Sequence, residues 1–488
     1  MKSFRFCVFC ALLSALILWL LRYSESSTCA QSPAAPVSFI NDVAPILKDY
    51  CFACHDAKKR SGKYEMTTFA RLIAGGSNGE TVSPGKPQES DLYDLMVTNE
   101  DRRMPPRKDG ISAVPKEKAE IVRRWIEQGA KLDSGIDTKS DLVKELRVRW
   151  QPPASPTQYK FAMPVTALAF TPDGKELVAG GHHELTVWNV DSSKLTKRLR
   201  TRAERALAML FHRDGSLIVA GSRPGQEGDI RVYNLQAAGK KEGEVIFLDG
   251  VSDPQVFRKQ LLDSDDSILC LAISPDGNLL AAGGCDRTIR VWDVSAGARR
   301  AKLEQVIDNH ADWVFALAFD ATGERLLSCA RDKTAKIWDL MNRESITTFP
   351  EHQNNVYGVA WSKDGKKAFS AGADHVLRQW EAVPQGKQLK VLGGHNEDIL
   401  KLLSSPDRLL LATAGADKTV KIWEAETQKN TKTLSGLTDQ VYSLALSPDG
   451  KLLAAGDYNG EVRIWNLADA KLVKGFNASP GIATISKK

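Results

Sequence analysis

The sequence predicts a multidomain chain in which a small all-α domain precedes an all-β, seven-bladed propeller. Three observations carry that expectation. Between residues 37 and 135, apolar residues recur at helical spacing with proline and glycine punctuation. From Val165 onward the apolar pattern alternates along short stretches, and the chain repeats itself about every 40–45 residues. Between the two lies a proline-rich break, Gln151-Pro152-Pro153-Ala154-Ser155-Pro156. A chain of 488 residues is also too long for one compact domain.

Residues 1–30 read as a targeting segment. Lys2 and Arg5 precede an apolar run, Phe6 to Leu21, of 16 residues. That is short against the roughly 20 a spanning helix needs, so a signal peptide is expected and an uncleaved membrane anchor is the alternative. Thr28-Cys29-Ala30 is a weak small-residue cleavage site, and Ser26-Ser27-Thr28 lacks the apolar residue of a lipoprotein site. Cys7 and Cys10 lie inside the apolar run and read as filler. Charged residues at 26% and apolar residues at 42% exclude wholesale disorder. The net charge of +6 is spread without a long Lys/Arg block, which gives no support to nucleic-acid binding.

The first domain is organised around Cys51-Phe52-Ala53-Cys54-His55. Cys-x-x-Cys-His suits covalent haem: two thiols add to the porphyrin vinyl groups, and the adjacent imidazole reaches the iron. Zinc would need a second ligand pair at short spacing, and a redox dithiol would need a preceding strand; the sequence favours neither. Phe39, Val43, Ile46, Leu47 and Tyr50 form a helical stripe leading into Cys51, with Pro45 in its first turn. Further helices are expected around Leu92, Tyr93 and Leu95, and from Lys116 to Gln128, where Gly129 is the stop signal. Between them, Arg103-Met104-Pro105-Pro106 offers a thioether on a loop that two prolines keep from becoming helical. Met104 is therefore the candidate distal ligand. Met66 and Met96 compete, Met96 reading as core-facing.

Phe39-Ile40-Asn41-Asp42-Val43-Ala44-Pro45-Ile46-Leu47, Cys51 to His55, Pro84-Gly85-Lys86-Pro87, Arg103 to Pro106 and Trp125-Ile126-Glu127-Gln128-Gly129-Ala130 resemble the planctomycete-type cytochrome c domain over residues 38–131. The resemblance implies a small, all-helical, class-I-like cytochrome c domain with one covalent haem c, His55 proximal and Met104 distal. Residues 136–160 then read as a spacer with one short helix, Asp141 to Arg147, and residues 161–480 as the propeller.

The repeats end their third strands in Trp188, Tyr233, Trp292, Trp338, Trp380, Trp423 and Trp465, and resemble seven WD40 blades. Turns such as Ser274-Pro275-Asp276-Gly277 join first and second strands. The second unit carries the largest insertion, a loop from about Gln236 to Ser267. His310, Ser328, Asp332 and Trp338 recur as His352, Ser370, Asp374 and Trp380, then as His395, Thr413, Asp417 and Trp423. These read as structural hydrogen-bonded tetrads rather than catalytic groups. Units three and seven, with Ala282 and Ala455, are expected to rely on apolar packing. His182, His183 and His212 fall outside that register and read as surface groups or ligands, and Cys270, Cys285 and Cys329 as buried free thiols. Either Lys471 to Phe476 or Gln158 to Ala162 closes the last blade.

The expectation is an exported electron-transfer protein, periplasmic or on the outer face of the cytoplasmic membrane. A redox partner protein would meet the haem, and a protein partner would dock on the propeller rim. The rival is a haem-plus-propeller enzyme with a second noncovalent cofactor or metal. No nucleic acid is expected, and a membrane tether is implied if residues 1–30 stay attached.

Overall fold

The computed structural model describes residues 36–106, 112–223 and 227–482; the expected signal segment lies outside them. The chain divides into two compact units between Trp150 and Gln151.

The first unit consists of a few short helices around one apolar core. A π-helical turn, Phe39–Val43, is capped by Ser38, whose Oγ accepts from Asn41 N, and runs into α1, Ala44–Tyr50, with Pro45 in its first turn. Pro45 is harmless there, because an N–H in the opening turn has no intrahelical partner to lose. Next come α2 (Phe69–Ala74), α3 (Asp91–Val97) and α4 (Lys116–Glu127). Beyond α4, Gly129 takes φ +97°, the left-handed turn that ends the helix. Phe39 packs edge-on to Phe69 at 4.9 Å and tilted on Trp125 at 5.2 Å. Around them Leu47, Leu72 and Val122 are fully buried.

Residues 136–149, read from sequence as spacer, pack into this unit. Helix α5, Leu142–Arg149, is capped by the Asp141 carboxylate, which accepts from Val143 N and Lys144 N. Leu142 is fully buried, and its N–H donates to Thr67 O at 2.9 Å. One buried leucine and one hydrogen bond to the loop before α2 turn a polar stretch into part of the fold.

The second unit is a seven-bladed β-propeller whose four-stranded blades are antiparallel, with one parallel pairing added at the edge of blade one. Blade one holds β1 (Leu168–Phe170), β2 (Glu176–Gly180), β3 (Glu184–Asn189) and β4 (Leu195–Arg200). Blade two holds β5 (Arg205–Phe211), β6 (Leu217–Arg223) and β7 (Glu227–Tyr233). Its outer strand comes after the insertion. That insertion is not a loop: β8 (Lys240–Glu242) and β9 (Val245–Asp249) form a hairpin, and β10 (Phe257–Ser264) pairs with β7. Strand β9 joins β4 in parallel, Lys197 opposite Ile246 through Arg200 opposite Asp249. It thereby covers an edge that would otherwise present unpaired backbone groups. The remaining blades take β11–β14, β15–β18, β19–β22, β23–β26 and β27–β30, from Ile268 to Asn477.

The ring closes without strand exchange. Strand β30, Leu472–Asn477, pairs with β29, Glu461–Asn466, so the last blade is built from the C-terminal side alone. Blade seven then docks on blade one. Phe476 stacks on Trp188 at 4.6 Å, Val165 N donates to Asp457 O at 3.0 Å, and Ser443 Oγ donates to Val165 O at 2.6 Å. The Gln158–Ala162 stretch supplies a clasp instead of a strand, with Tyr159 N donating to Pro480 O at 2.9 Å.

The three tetrads form as expected. In blade five Trp380 Nε1 donates to Ser370 Oγ at 2.7 Å, Ser370 Oγ lies 2.6 Å from His352 Nε2, and His352 Nδ1 lies 2.9 Å from Asp374. The proton order follows: indole to hydroxyl, hydroxyl to Nε2, Nδ1–H to carboxylate. Blade three keeps an acid at the tetrad place and changes its donors, whereas blade seven has Asn459 there and uses Asp457, two residues earlier. Asp457 accepts from Thr438 N, Thr438 Oγ1 and Asp439 N, while Asp286 accepts from Thr288 and pairs with Arg290 at 2.6 Å. Apolar packing is thus not their only brace.

Two outcomes follow from the tetrads. Asp374→Ala strands His352 and Arg378, and should lower unfolding stability by about 1–3 kcal/mol in urea titration. Burial alone would raise the Asp374 carboxyl, but the hydrogen bonds from His352 and Arg378 outweigh it and hold the group at about 2. Asp332 and Asp417 are likewise held down, and burial lowers His395. The unfolded chain therefore binds more protons than the folded one in acid. The carboxylate contribution is complete above roughly pH 4 and is lost as pH falls through the folded values. The propeller's melting temperature should fall between pH 5 and pH 2, less steeply in Asp374→Ala.

Candidate functional site

The end of α1 delivers the first thiol. Cys51 N donates to Leu47 O at 2.8 Å, closing the last helical turn. The chain then folds back, with Cys54 N and His55 N both donating to Cys51 O at 3.1 Å. This turn sets Cys51, Cys54 and His55 on one wall. Both cysteines are free thiols. Burial pushes the Cys51 thiol up to about 12, with the neighbouring Cys54 adding to the shift. Lys59 Nζ lies 3.4 Å from Cys54 Sγ.

His55 is oriented by a residue that the sequence does not single out. Its Nδ1 lies 3.1 Å from Tyr64 O. A carbonyl can only accept, so Nδ1 carries the proton and Nε2 keeps its lone pair. Tyr64 is itself fixed, its hydroxyl donating to Leu72 O at 2.8 Å and lying 2.6 Å from Thr81 Oγ1. No spacing rule marks a residue whose contribution is a backbone carbonyl.

These groups face a cavity of about 310 Å³ that Met104 also lines. All four residues expected from the sequence therefore meet at one site. The competing methionines line it too, but differently. Met66 and Met96 are 2% and 4% exposed and belong to the core, whereas Met104 is 41% exposed on the loop after α3. Met104 N donates to Leu95 O at 2.8 Å, which ties that loop to the helix while leaving the thioether unpacked. Reduced thiols, an imidazole with an open Nε2, a movable thioether and a largely apolar wall are a donor set that fits a c-type haem.

The propeller histidines outside the tetrads are not surface groups in general. His183 and His212 are buried, His183 Nδ1 lying 3.3 Å from Arg202 O and His212 Nε2 lying 3.0 Å from Gly277 O. His212 thus ties blade two to the first turn of blade three. His182 packs against the His183 ring at 4.6 Å. Among the described residues no group of three or more His, Cys, Asp or Glu is placed to hold a metal ion. Cys270 and Cys329 are buried free thiols, and Cys285 is free and half-buried.

Comparison with known proteins agrees with both units. Residues 51–108 match the family described as Planctomycete cytochrome C. Residues 157–189, 256–293, 301–339, 343–381, 386–424 and 428–466 match the WD domain, G-beta repeat. The second unit is thus a WD40-repeat propeller. The chain thus carries a segment that matches Planctomycete cytochrome C ahead of that propeller. The repeat matches pass over much of blade two, whose third strand ends in Tyr233 instead of tryptophan. WD repeat-containing protein 1 of Xenopus tropicalis is 29% identical over 41% of this chain and 33% of its own length. The Periodic tryptophan protein 2 homolog of Dictyostelium discoideum is 27% identical over 48% of this chain and 23% of its own. The chain spans about a third or less of these relatives.

In haem-free protein, the Cys51 thiol should alkylate more slowly than Cys54 at pH 8, read by mass spectrometry of the peptide after iodoacetamide treatment. Equal rates would contradict the burial of Cys51.

Proposed function

We propose that this chain is an exported c-type cytochrome that transfers electrons through one covalent haem, its propeller serving as a docking scaffold for a protein partner. The observation that carries the reading is the convergence of Cys51, Cys54, His55 and Met104 on one cavity, in the segment matching Planctomycete cytochrome C. Bound haem supplies a one-electron iron couple. Cys51 and Cys54 would be its thioether anchors. His55 would present Nε2 as proximal ligand, held in that tautomer by Tyr64 O. Met104 would close the opposite face, being the methionine whose sulfur the core does not already hold.

On this reading the short helices of the first unit are a class-I-like cytochrome c domain. Export, to the periplasm or the outer face of the cytoplasmic membrane, is supported by the basic start and apolar run of residues 1–30. A redox partner protein would approach the haem, and a second protein the propeller rim. The rim reading rests on the general use of WD40 propellers as rigid platforms.

The test is expression with a haem-attachment system, followed by spectroscopy. Wild type should carry one covalent haem per chain, and the Cys51→Ala, Cys54→Ala double variant none. Met104→Ala should lose the sulfur-to-iron band of the oxidised protein and bind carbon monoxide once reduced. Met66→Leu and Met96→Leu should keep the band, leucine being used because truncation to alanine in the core costs about 2–5 kcal/mol. An unchanged Met104→Ala spectrum would sink the distal assignment, and a chain without haem would sink the reading.

A further inference from the structure

Six of the propeller's inner strands share one bulged register, and one of the six differs from the rest in what it carries there. Just after the bulge near the start of the other five, a small residue sits at the axis. Ala208 stands opposite Ala220, Cys270 opposite Gly283, Ala316 opposite Cys329, Gly358 opposite Ala371 and Ser443 opposite Gly456. In β23, Ile399–Ser404, the same place opposite Ala414 holds Lys401. Small residues let the strands converge: a Cβ on Gly358 would lie 2.5 Å from Leu402 Cβ. A side chain as long as lysine has room only along the central channel.

That channel holds a cavity of about 170 Å³ whose lining mixes apolar groups, Leu207, Leu271 and Phe315 among them, with polar surface that includes Lys401 and Tyr357. It continues past Met209 and Leu403 to a mouth of about 610 Å³ among the Pro-Asp-Gly turns. Lys401 keeps part of its surface open to this space. Among the described residues its ammonium makes no hydrogen bond or ion pair; the titratable groups it faces are Cys270 and Cys329, on blades three and four. Burial pushes Cys270 up to about 12 and Cys329 well above the usual thiol range, so neither is an anion at neutral pH. Burial also pushes Lys401 below the ordinary lysine range. A partly enclosed cation without a counter-charge is costly, and an incoming anion lowers that cost. Tyr357 OH accepts from Asn355 Nδ2 at 3.0 Å and retains its own proton to donate.

We propose that the central channel binds a small organic monocarboxylate, the carboxylate on Lys401 with Tyr357 as second donor and the hydrocarbon part against Phe315 and Leu207. The volume suits a molecule of a few carbons, and Phe315 and Leu207 give a hydrocarbon part something to pack on that an inorganic anion would not use. The proposal is independent of the haem reading, since every residue in it belongs to the propeller.

The test titrates the full chain with acetate, isobutyrate and benzoate, with benzamide as the uncharged control, by calorimetry and thermal shift at constant ionic strength. At least one carboxylate should bind saturably and raise the melting temperature, while benzamide does neither. Lys401→Met should weaken binding by about tenfold or more, the loss expected for a hydrogen bond to a charged group. Ala316→Leu, which fills the ring from another blade, should abolish it, and serves as the second arm should Lys401→Met fail to fold. Absence of binding by all three carboxylates, equal binding of benzamide, or undiminished binding by Lys401→Met overturns the proposal.

Discussion

A propeller is held by its seam. Each blade buries its faces against two neighbours, so the ring is stable only when the last blade finds the first. Here the seam is made of side chains and single backbone contacts: Phe476 on Trp188, and Val165 both donating to Asp457 O and accepting from Ser443. Blade seven is complete before it docks, and blade one is complete without it. Closure thus depends on apolar complementarity across one interface, reinforced by the clasp of Tyr159 and Met163 on Pro480 and Ser479. Such a ring can keep its inner strands in common register, and that register gives the channel its small-residue lining.

The tetrads divide the labour. They sit in blades four to six, where His310, His352 and His395 are buried and each bridges a hydroxyl to a carboxylate. Away from them, in blades one and two, buried ion pairs take over: Arg198 with Glu184, Arg202 with Glu227, and Arg231 with Asp229. Removing one partner of such a pair is far costlier than the pair is stabilising, so these groups specify one arrangement more than they deepen it. Blade one is wider because β9 pairs with its edge, with Arg198 over the Phe247 ring at 5.6 Å.

The first unit follows a different logic. Its helices are too short to be stable alone, and its order comes from the aromatic core of Phe39, Phe69 and Trp125 and from backbone contacts between loops. The turn from Cys51 to His55 is held by Cys51 O, the imidazole by Tyr64 O, and the Met104 loop by Leu95 O. Three backbone carbonyls thereby shape the site.

Much of this was written in local chemistry. Cys-x-x-Cys-His, the proline-flanked methionine, the seven aromatic strand ends and the 22-residue His-to-Asp spacing each depend on residues close in sequence, or on a period, and were legible without coordinates. What the tertiary structure decided depends on partners distant in the chain. Which segment closes the ring is settled by whether Phe476 meets Trp188, 288 positions away by subtraction. Whether residues 236–267 form a loop depends on the exposed edge of β4, and whether residues 136–149 are spacer depends on a seat for Leu142. The burial of His183 and His212 follows from neighbouring turns that no local pattern announces. Lys401 looks like an ordinary lysine in a strand until the inner strands are set side by side; only then do its counterparts prove small, because the strands converge too closely for a bulky side chain that does not run along the channel.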